Sequence, residues 1–174
     1  MLVRVATPTD LPALQAMITR AIMQLQSPFL EPEQVAASAT MMGLDTQLVD
    51  DGTYLVADLD GAMAACGGWS KRATSYGGDH SPGRSARLLD PDTEPTRIRA
   101  MYTDPAFVRR GLGRLMLAAC EDAARAAGFR EATMVATMAG LPLYLACGYV
   151  SVEAFEDRNG AVAVPLVHMR KPLI

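Results

Sequence analysis

The sequence has few of the residues that build metal sites and disulfides. Its 174 residues include two histidines and three cysteines. Cys66, Cys120 and Cys147 are odd in number, far apart and each set among apolar residues, which predicts buried, reduced thiols and argues against a disulfide framework or a zinc site. Because no histidines, cysteines or carboxylates cluster in the sequence, we expect no metal.

Long apolar runs and an excess of positive charge are also missing. No segment approaches the roughly 18 to 20 apolar residues of a membrane span, and the N-terminal MLVRVATPTD has no signal-peptide core. We therefore predict a cytoplasmic protein with no membrane partner. The formal net charge is -3, so nothing indicates the basic face with which proteins bind nucleic acid.

Half of the residues are apolar, which is enough to bury one sizeable core, and the length favours a single domain over residues 1–174. Hydrophobic periodicity and turn residues then predict an alternating series of strands and helices. The predicted strands span 2–6, 53–61, 62–70, 96–104, 131–138, 149–156 and 161–170. The predicted helices start at Thr9 or Asp10 and run to Ile22, and then span 32–42, 111–127 and 141–147.

This order contains hairpins at both ends and one β-α-β unit in the centre. It predicts an α/β (α+β) fold with a mixed, mostly antiparallel central sheet of about seven strands and helices on both faces. The segment 71–96 is too long and too polar for an ordinary hairpin loop, and loops of that length are usually functional or disordered. Nine of the sixteen basic residues lie within positions 71–114, which points to an anionic ligand near the middle of the chain.

The most informative stretch is RRGLGR, residues 109–114, placed between a strand and a helix. Its glycines either loosen the turn or let a phosphate approach the N–H groups at the helix start. A nucleotide triphosphatase loop requires G-x-x-x-x-G-K-[ST], which is absent. A dinucleotide fingerprint requires G-x-G-x-x-G, but the position of its third glycine holds Met116.

The segment Val108-Arg109-Arg110-Gly111-Leu112-Gly113 resembles the pyrophosphate loop of the GCN5-related N-acetyltransferase (GNAT) superfamily, [QR]-x-x-G-x-[GA]. It departs at its first position, where Val108 replaces Gln or Arg. The resemblance extends over nearly the whole chain: RVATPTDLPAL is similar to the family's first strand and helix start, and LYLACGY, residues 143–149, to its L-Y-x-x-x-G-[FY] segment.

The resemblance implies acetyl-CoA (coenzyme A) as cosubstrate and a set of cofactor-binding residues. These are Met101, Tyr102, Thr103, Val108, Arg109, Arg110, Gly111, Leu112, Gly113 and Arg114. In the family, the strand before the loop splays from its neighbour, and the N–H of Met101 would face the thioester oxygen. Tyr144 is the implied general acid, because a phenol is neutral at pH 7 and donates well to a thiolate. Each of these residues could instead be an ordinary part of a strand or helix.

The sequence gives weaker signals for the residues that bind the acceptor amine. Arg97, Arg99, Met101 and Thr103 alternate onto one face. If that face lines the acceptor cleft, Arg99 favours an acceptor with a carboxylate or phosphate beside its amine. Trp69, Tyr76 and His80 are further candidates for substrate binding, although for Trp69 a place in the core is favoured slightly. The general base is left open among Tyr76, Asp79, His80, Glu94 and a water chain.

The sequence therefore predicts direct transfer of an acetyl group from acetyl-CoA to a primary amine. Cys120 and Cys147 are predicted on helices and not beside a base, which argues against a covalent thiol intermediate. The acceptor is a small molecule or a protein amine, and exposed strand edges make a homodimer possible. One alternative is a catalytically inactive acyl-CoA-binding or regulatory module, and another is a nucleotide-binding domain.

Overall fold

A computed structural model describes all 174 residues. Its centre is one sheet of seven strands in the order β1-β2-β3-β4-β5-β7-β6. Every neighbouring pair is antiparallel except β4 and β5, which are parallel. The strands span Leu2–Val5 (β1), Tyr54–Leu59 (β2), Ala62–Ser70 (β3), Thr96–Thr103 (β4), Glu131–Thr137 (β5), Val150–Asp157 (β6) and Val164–Pro172 (β7).

Five α-helices cover the two faces of this sheet. They span Leu11–Leu25 (α1), Pro32–Met41 (α2), Thr46–Asp50 (α3), Leu112–Ala126 (α4) and Leu141–Ala146 (α5). On one face, α1 and α3 pack against β2 and β3 through a buried cluster that includes Leu14, Ile18 and Leu48. On the other face, α4 and α5 pack through Leu117, Cys120 and Tyr144.

Two features of β4 open the sheet at its centre. Its parallel pairing with β5 is limited to Thr96 with Ala132 and Arg97 with Thr133, so the two strands part beyond that point. The splayed strand that the family resemblance implies is thus present. A bulge also interrupts the pairing with β3, because Ala100 and Met101 both lie opposite Gly67.

The predicted fold class is confirmed: the sheet is mixed, mostly antiparallel and seven-stranded, with helices on both faces. The predicted strands and helices match within a few residues at each end. The five-residue helix α3 was not expected from the sequence, because it is too short to show a helical period. None of the helices is long and apolar enough to cross a membrane.

Candidate active site

The stretch RRGLGR forms the turn into α4, whose N-terminus carries exposed backbone donors. Gly111 is the N-cap residue, with a left-handed φ of 78°, and no side chain caps the helix. The N–H of Leu115 bonds to the Gly111 carbonyl. The N–H groups of Leu112, Gly113 and Arg114 precede that bond and have no partner within the helix. A helix start of this kind attracts anions.

Three arginines surround this helix start without ion-pair partners. Arg109, Arg110 and Arg114 are exposed, and none belongs to the salt bridges of the chain. Arg110 lies over the ring of Phe107, 5.4 Å from its centroid. Arg109 has a left-handed φ of 64°, an unusual conformation for a residue other than glycine. The loop therefore presents three free cations beside the unpaired N–H groups.

Other arginines of the basic segment hold the structure together. Arg72 pairs with Asp51, Arg84 and Arg99 with Asp45, and Arg87 with Glu94. Much of the positive charge seen in the sequence is thus already matched within the protein. The free positive charge at the start of α4 comes from the loop arginines.

A cavity of about 410 Å³ leads inward from this loop. Its mouth includes Val108, Arg109 and Gly113, and one wall is the C-terminal end of α1 with the residues that follow it, up to Phe29. The opposite walls are the parted strand β4 and the start of α5. Of the predicted cofactor residues, this cavity brings together Met101, Tyr102, Thr103, Val108, Arg109 and Gly113. Leu112 is buried beneath the loop, so only its backbone can face a ligand.

A smaller cavity of about 80 Å³ lies between β4 and β5 where the strands part. Met42, Met101, Tyr102, Thr137 and Tyr144 line both cavities. The two predicted catalytic residues, Met101 and Tyr144, therefore stand where the cavities meet. A group bound in the large cavity and a group bound in the small one would meet beside these two residues.

Tyr144 is held in place by tight packing on α5. Its ring lies so close to Gly140 that a Cβ added there would come within 2.7 Å of it. Its hydroxyl takes part in none of the side-chain hydrogen bonds of the protein, in contrast to those of Tyr54 and Tyr76. Burial raises the pKa of Tyr144 above its ordinary value, so the hydroxyl keeps its proton at neutral pH.

Because of the bulge at Ala100, the side chains of β4 do not alternate between the two faces of the sheet as predicted. Ala100 has a left-handed φ of 51°, and the extra residue reverses the faces beyond it. Met101 packs with Ile98 in the cluster beneath α4, whereas Tyr102 packs with Ala100 beneath α1. The expectation that Arg99 and Met101 share a face is therefore wrong.

The guanidinium of Arg99, which the sequence led us to expect beside an acidic acceptor, is largely bound within the protein. Its Nη2 donates to Asp45 Oδ2 and to the Gly77 carbonyl, both at 2.6 Å, and its Nη1 donates to the Thr74 carbonyl. Its side chain is 3% exposed. Arg99 lines the small cavity but ties α3 and the long loop to β4.

The other acceptor-side candidates fall in different places. Trp69 packs edge-on against Phe129 in the core cluster and lines neither cavity, so its predicted role in substrate binding is corrected to packing. His80 is exposed and lines a separate pocket between α1 and α2, against Gly43. Only Tyr76 lines the small cavity. Its hydroxyl donates to Asp157 at 2.8 Å, and burial, with this bond, raises the pKa of Tyr76 to about 12.

The remaining base candidates are engaged elsewhere. Asp79 accepts bonds from the Thr46 backbone and hydroxyl. Hydrogen bonds from Arg87 and from the Asp90 N–H lower the pKa of Glu94 to about 2. Neither residue lines the large or the small cavity, and no aspartate, glutamate or histidine does so.

Cys66 is the one cysteine that lines the large cavity. Its Sγ lies 3.1 Å from the Tyr54 hydroxyl. Burial raises the pKa of the Cys66 thiol to about 12, so it is a poor nucleophile at neutral pH. Burial likewise raises the pKa of Cys120, which lies in the core.

Several lining residues carried no signal in the sequence. Thr137 at the end of β5 and Met42 after α2 reach both cavities. Asp157 of β6 lines neither cavity but accepts from the hydroxyl of Tyr76, which lines the small one, across 81 positions of sequence. These residues are brought together only by the tertiary fold, and none belongs to a local motif.

The start of α4, with its unpaired N–H groups and exposed arginines, is a site of the kind that binds phosphate groups, and a cavity opens beside it. The sequence comparison then gives the family: the model of the Acetyltransferase (GNAT) family matches residues 19–149. The chain belongs to this family. No curated protein matches the sequence.

Solved structures with the same fold cover nearly the whole chain. A GCN5-related N-acetyltransferase from Rhodopseudomonas palustris has a TM-score of 0.71 and 21% identity, covering 98% of this chain and 94% of its own. The PaiA N-acetyltransferase from Thermoplasma acidophilum, in complex with coenzyme A, has a TM-score of 0.65 and 11% identity, covering 98% of each chain. The yncA protein of Salmonella typhimurium, with its cofactor acetyl-CoA, has a TM-score of 0.65 and 18% identity, and the match covers 100% of this chain and 94% of the yncA chain.

Proposed function

We propose that the chain transfers the acetyl group of acetyl-CoA directly to a primary amine. One observation carries the proposal: Arg109 and Gly113, at the start of α4 with its free N–H groups, line a cavity that leads to Met101 and Tyr144. A cosubstrate with phosphates at one end and a reactive thioester at the other fits this arrangement. Neighbours of the same fold that hold coenzyme A or acetyl-CoA support it.

The residues that would hold the phosphates are those of the arginine loop, 109–114. Phosphate oxygens accept strong, charge-assisted hydrogen bonds from guanidinium groups and from the N–H groups at a helix start. Gly111 leaves the backbone open to a ligand, whereas Gly113 makes room for Leu143, which would lie 2.8 Å from an added Cβ. Met101, Tyr102 and Thr103, on the wall of the large cavity, would accompany the long arm of the cosubstrate along β4.

When bound, acetyl-CoA supplies the acetyl group as a thioester. The N–H of Met101 would donate to the thioester oxygen and stabilise the negative charge that develops there. Tyr144 would donate its hydroxyl proton to the sulfur as the bond from sulfur to the acetyl carbon breaks. A tyrosine hydroxyl is protonated at neutral pH even at its ordinary pKa, and the Tyr144 hydroxyl makes no other side-chain hydrogen bond, so it is available to donate.

The amine must lose a proton to attack. No carboxylate or imidazole lines either cavity, so we assign proton removal to water, with the amine reacting as its free base. The high pKa of the Cys66 thiol argues against a covalent intermediate on that residue and supports direct transfer. The acceptor would enter through the small cavity, where Tyr76 lies.

Two measurements test the proposal. Coenzyme A should raise the melting temperature of the protein, whereas ATP and NAD should not. Release of free thiol from acetyl-CoA should then depend on added amine. Stabilisation by ATP or NAD alone would indicate a nucleotide-binding domain. Binding of coenzyme A with no turnover of any amine would indicate the inactive acyl-CoA-binding module.

A further inference from the structure

The small cavity is lined mostly by apolar side chains. Four methionines form much of its wall, and the other apolar residues come from β4, β5 and β7. The methionines are Met41, Met42, Met101 and Met134. Methionine is flexible and polarisable, and it packs well against aliphatic and aromatic groups of varied shape. These side chains offer contacts to an apolar group of a few heavy atoms, beside polar atoms that supply about as much of the exposed wall.

The lining of the small cavity contains few charged side chains. No aspartate, glutamate, lysine or histidine lines the small cavity, and Arg99 is its one charged residue. Asp45, whose side chain is 1% exposed, accepts from Arg99 at 2.6 Å. Arg84 shares Asp45 but does not line the cavity, and a quarter of its side chain is exposed, where water and salt screen its charge.

A charged group on the acceptor would therefore find no unused ion-pair partner on the wall of this cavity. A second ammonium would lose its water with no carboxylate to receive it. A carboxylate would meet a guanidinium whose two Nη2 hydrogens are already used by Asp45 and Gly77. Burying a charge without a partner is costly. The polar groups left to a ligand are neutral, such as the hydroxyls of Ser75 and Tyr144.

We infer that the acceptor is a primary amine attached to an uncharged body, and that this body occupies the small cavity. The inference rests on the proposed acetyl transfer and names the class of its substrate. It replaces the acidic acceptor expected from Arg99 in the sequence.

Three amines with a three-carbon chain provide the test: propylamine, β-alanine and 1,3-diaminopropane. They end in a methyl group, a carboxylate and a second ammonium. We expect kcat/KM, corrected for the fraction of free amine, to be at least tenfold higher for propylamine than for either charged amine. Equal or better use of a charged amine would overturn the inference and leave acetyl transfer established.

A binding measurement separates failure of the inference from failure of the proposed function. If coenzyme A stabilises the protein and a charged amine is acetylated while propylamine is not, the inference is wrong and the proposed function stands. If coenzyme A does not stabilise the protein, or stabilises it with no turnover of any amine, the proposed function itself is wrong, and the inference falls with it.

A charged variant provides a second test within the same protein. Thr137 lines both cavities, and its Oγ1 accepts from the Gly140 N–H at 3.2 Å. Thr137→Asp keeps an acceptor for that bond and adds a carboxylate to the cavity. The ratio of kcat/KM for 1,3-diaminopropane to that for propylamine should rise at least fivefold. Ser151→Asp, on exposed β6, should leave this ratio unchanged, and an equal ratio in both variants would contradict the inference.

Discussion

Arg99 of β4 and Asp45, the N-cap residue of α3, form a buried ion pair with a 2.6 Å hydrogen bond beside the small cavity. Asp45 also accepts from Arg84 and from the Gln47 N–H. The pair joins α3 and the long loop 71–96 to the central strand. Burial lowers the pKa of Arg99, although Asp45 opposes this effect.

Asp45→Asn should therefore destabilise the protein strongly. It leaves the Arg99 guanidinium buried without its counterion, which typically costs about 3–5 kcal/mol. The free energy of unfolding in urea measures the loss. Asp50→Asn, at the exposed end of α3, is the control and should change it by less than about 0.5 kcal/mol.

The double variant Asp45→Asn, Arg99→Met removes the buried charge together with its partner. It should recover much of the stability lost in Asp45→Asn, because an apolar side chain of similar size needs no counterion. A double variant no more stable than Asp45→Asn would show that the loss has another cause.

Tyr144→Phe should lower kcat by about 10²-fold, the lower end of the contribution of a general acid. The affinity for coenzyme A should change little, because the ring remains in place. The control is Tyr149→Phe: Tyr149 is buried and lines neither cavity, so removal of its hydroxyl should leave kcat unchanged. If both variants kept full activity, Tyr144 would not be the acid.

Arg109→Gly separates the charge of the arginine loop from its backbone conformation. Glycine adopts the left-handed φ of 64° more readily than arginine, so stability should hold or rise. The dissociation constant for coenzyme A should rise roughly tenfold, because a charge-assisted hydrogen bond is lost. Arg130→Ala, an exposed arginine outside the salt bridges, should bind coenzyme A as the unchanged protein does. A weaker affinity in both variants would indicate a general effect of charge.

Much of the fold could be predicted because its signals are local. Apolar residues at helical spacing and the turn at Asp60-Gly61 mark α1, α4 and the hairpin of β2 and β3. The order of elements then determines the fold class. α3 was missed because its five residues, Thr46–Asp50, are too few to show a period.

The candidate site was predictable only where it depends on a local motif. The glycine spacing located the arginine loop, and the fold brings Met101 and Tyr144 to the junction of the cavities. The environment of Arg99 was not predictable, because one bulge at Ala100 reverses the faces of β4. An alanine in the left-handed region leaves no trace in the sequence pattern. Arg99 also meets Asp45 across 54 positions, a contact set by the tertiary fold alone.

The pH dependence of the reaction should follow the amine and not the enzyme. Because no carboxylate or imidazole lines the cavities, kcat/KM should rise tenfold per pH unit up to the pKa of each amine. Burial raises the pKa of Tyr144, so kcat should not fall between pH 7 and 10 through loss of its proton. Profiles of kcat/KM against pH for two amines of different pKa check this prediction. A shared break near pH 6 to 7 would instead indicate a base on the protein.

At Val108 the sequence departs from the family's loop pattern. Val108 is 38% exposed and lies at the mouth of the large cavity next to Arg109. Val108→Gln restores a polar side chain at this position and should tighten binding of coenzyme A, because the amide can donate a further hydrogen bond to a phosphate.

The gain at Val108 should be modest, roughly two- to tenfold in the dissociation constant, since a neutral hydrogen bond contributes about 0.5–1.5 kcal/mol. Titration calorimetry with coenzyme A measures it, and Val108→Thr, too short to reach as far, is the matched control. Equal tightening in both variants would indicate that polarity alone matters. No change in Val108→Gln, combined with weaker binding in Arg109→Gly, would show that the arginines already supply the contacts that Gln supplies in the family's pattern.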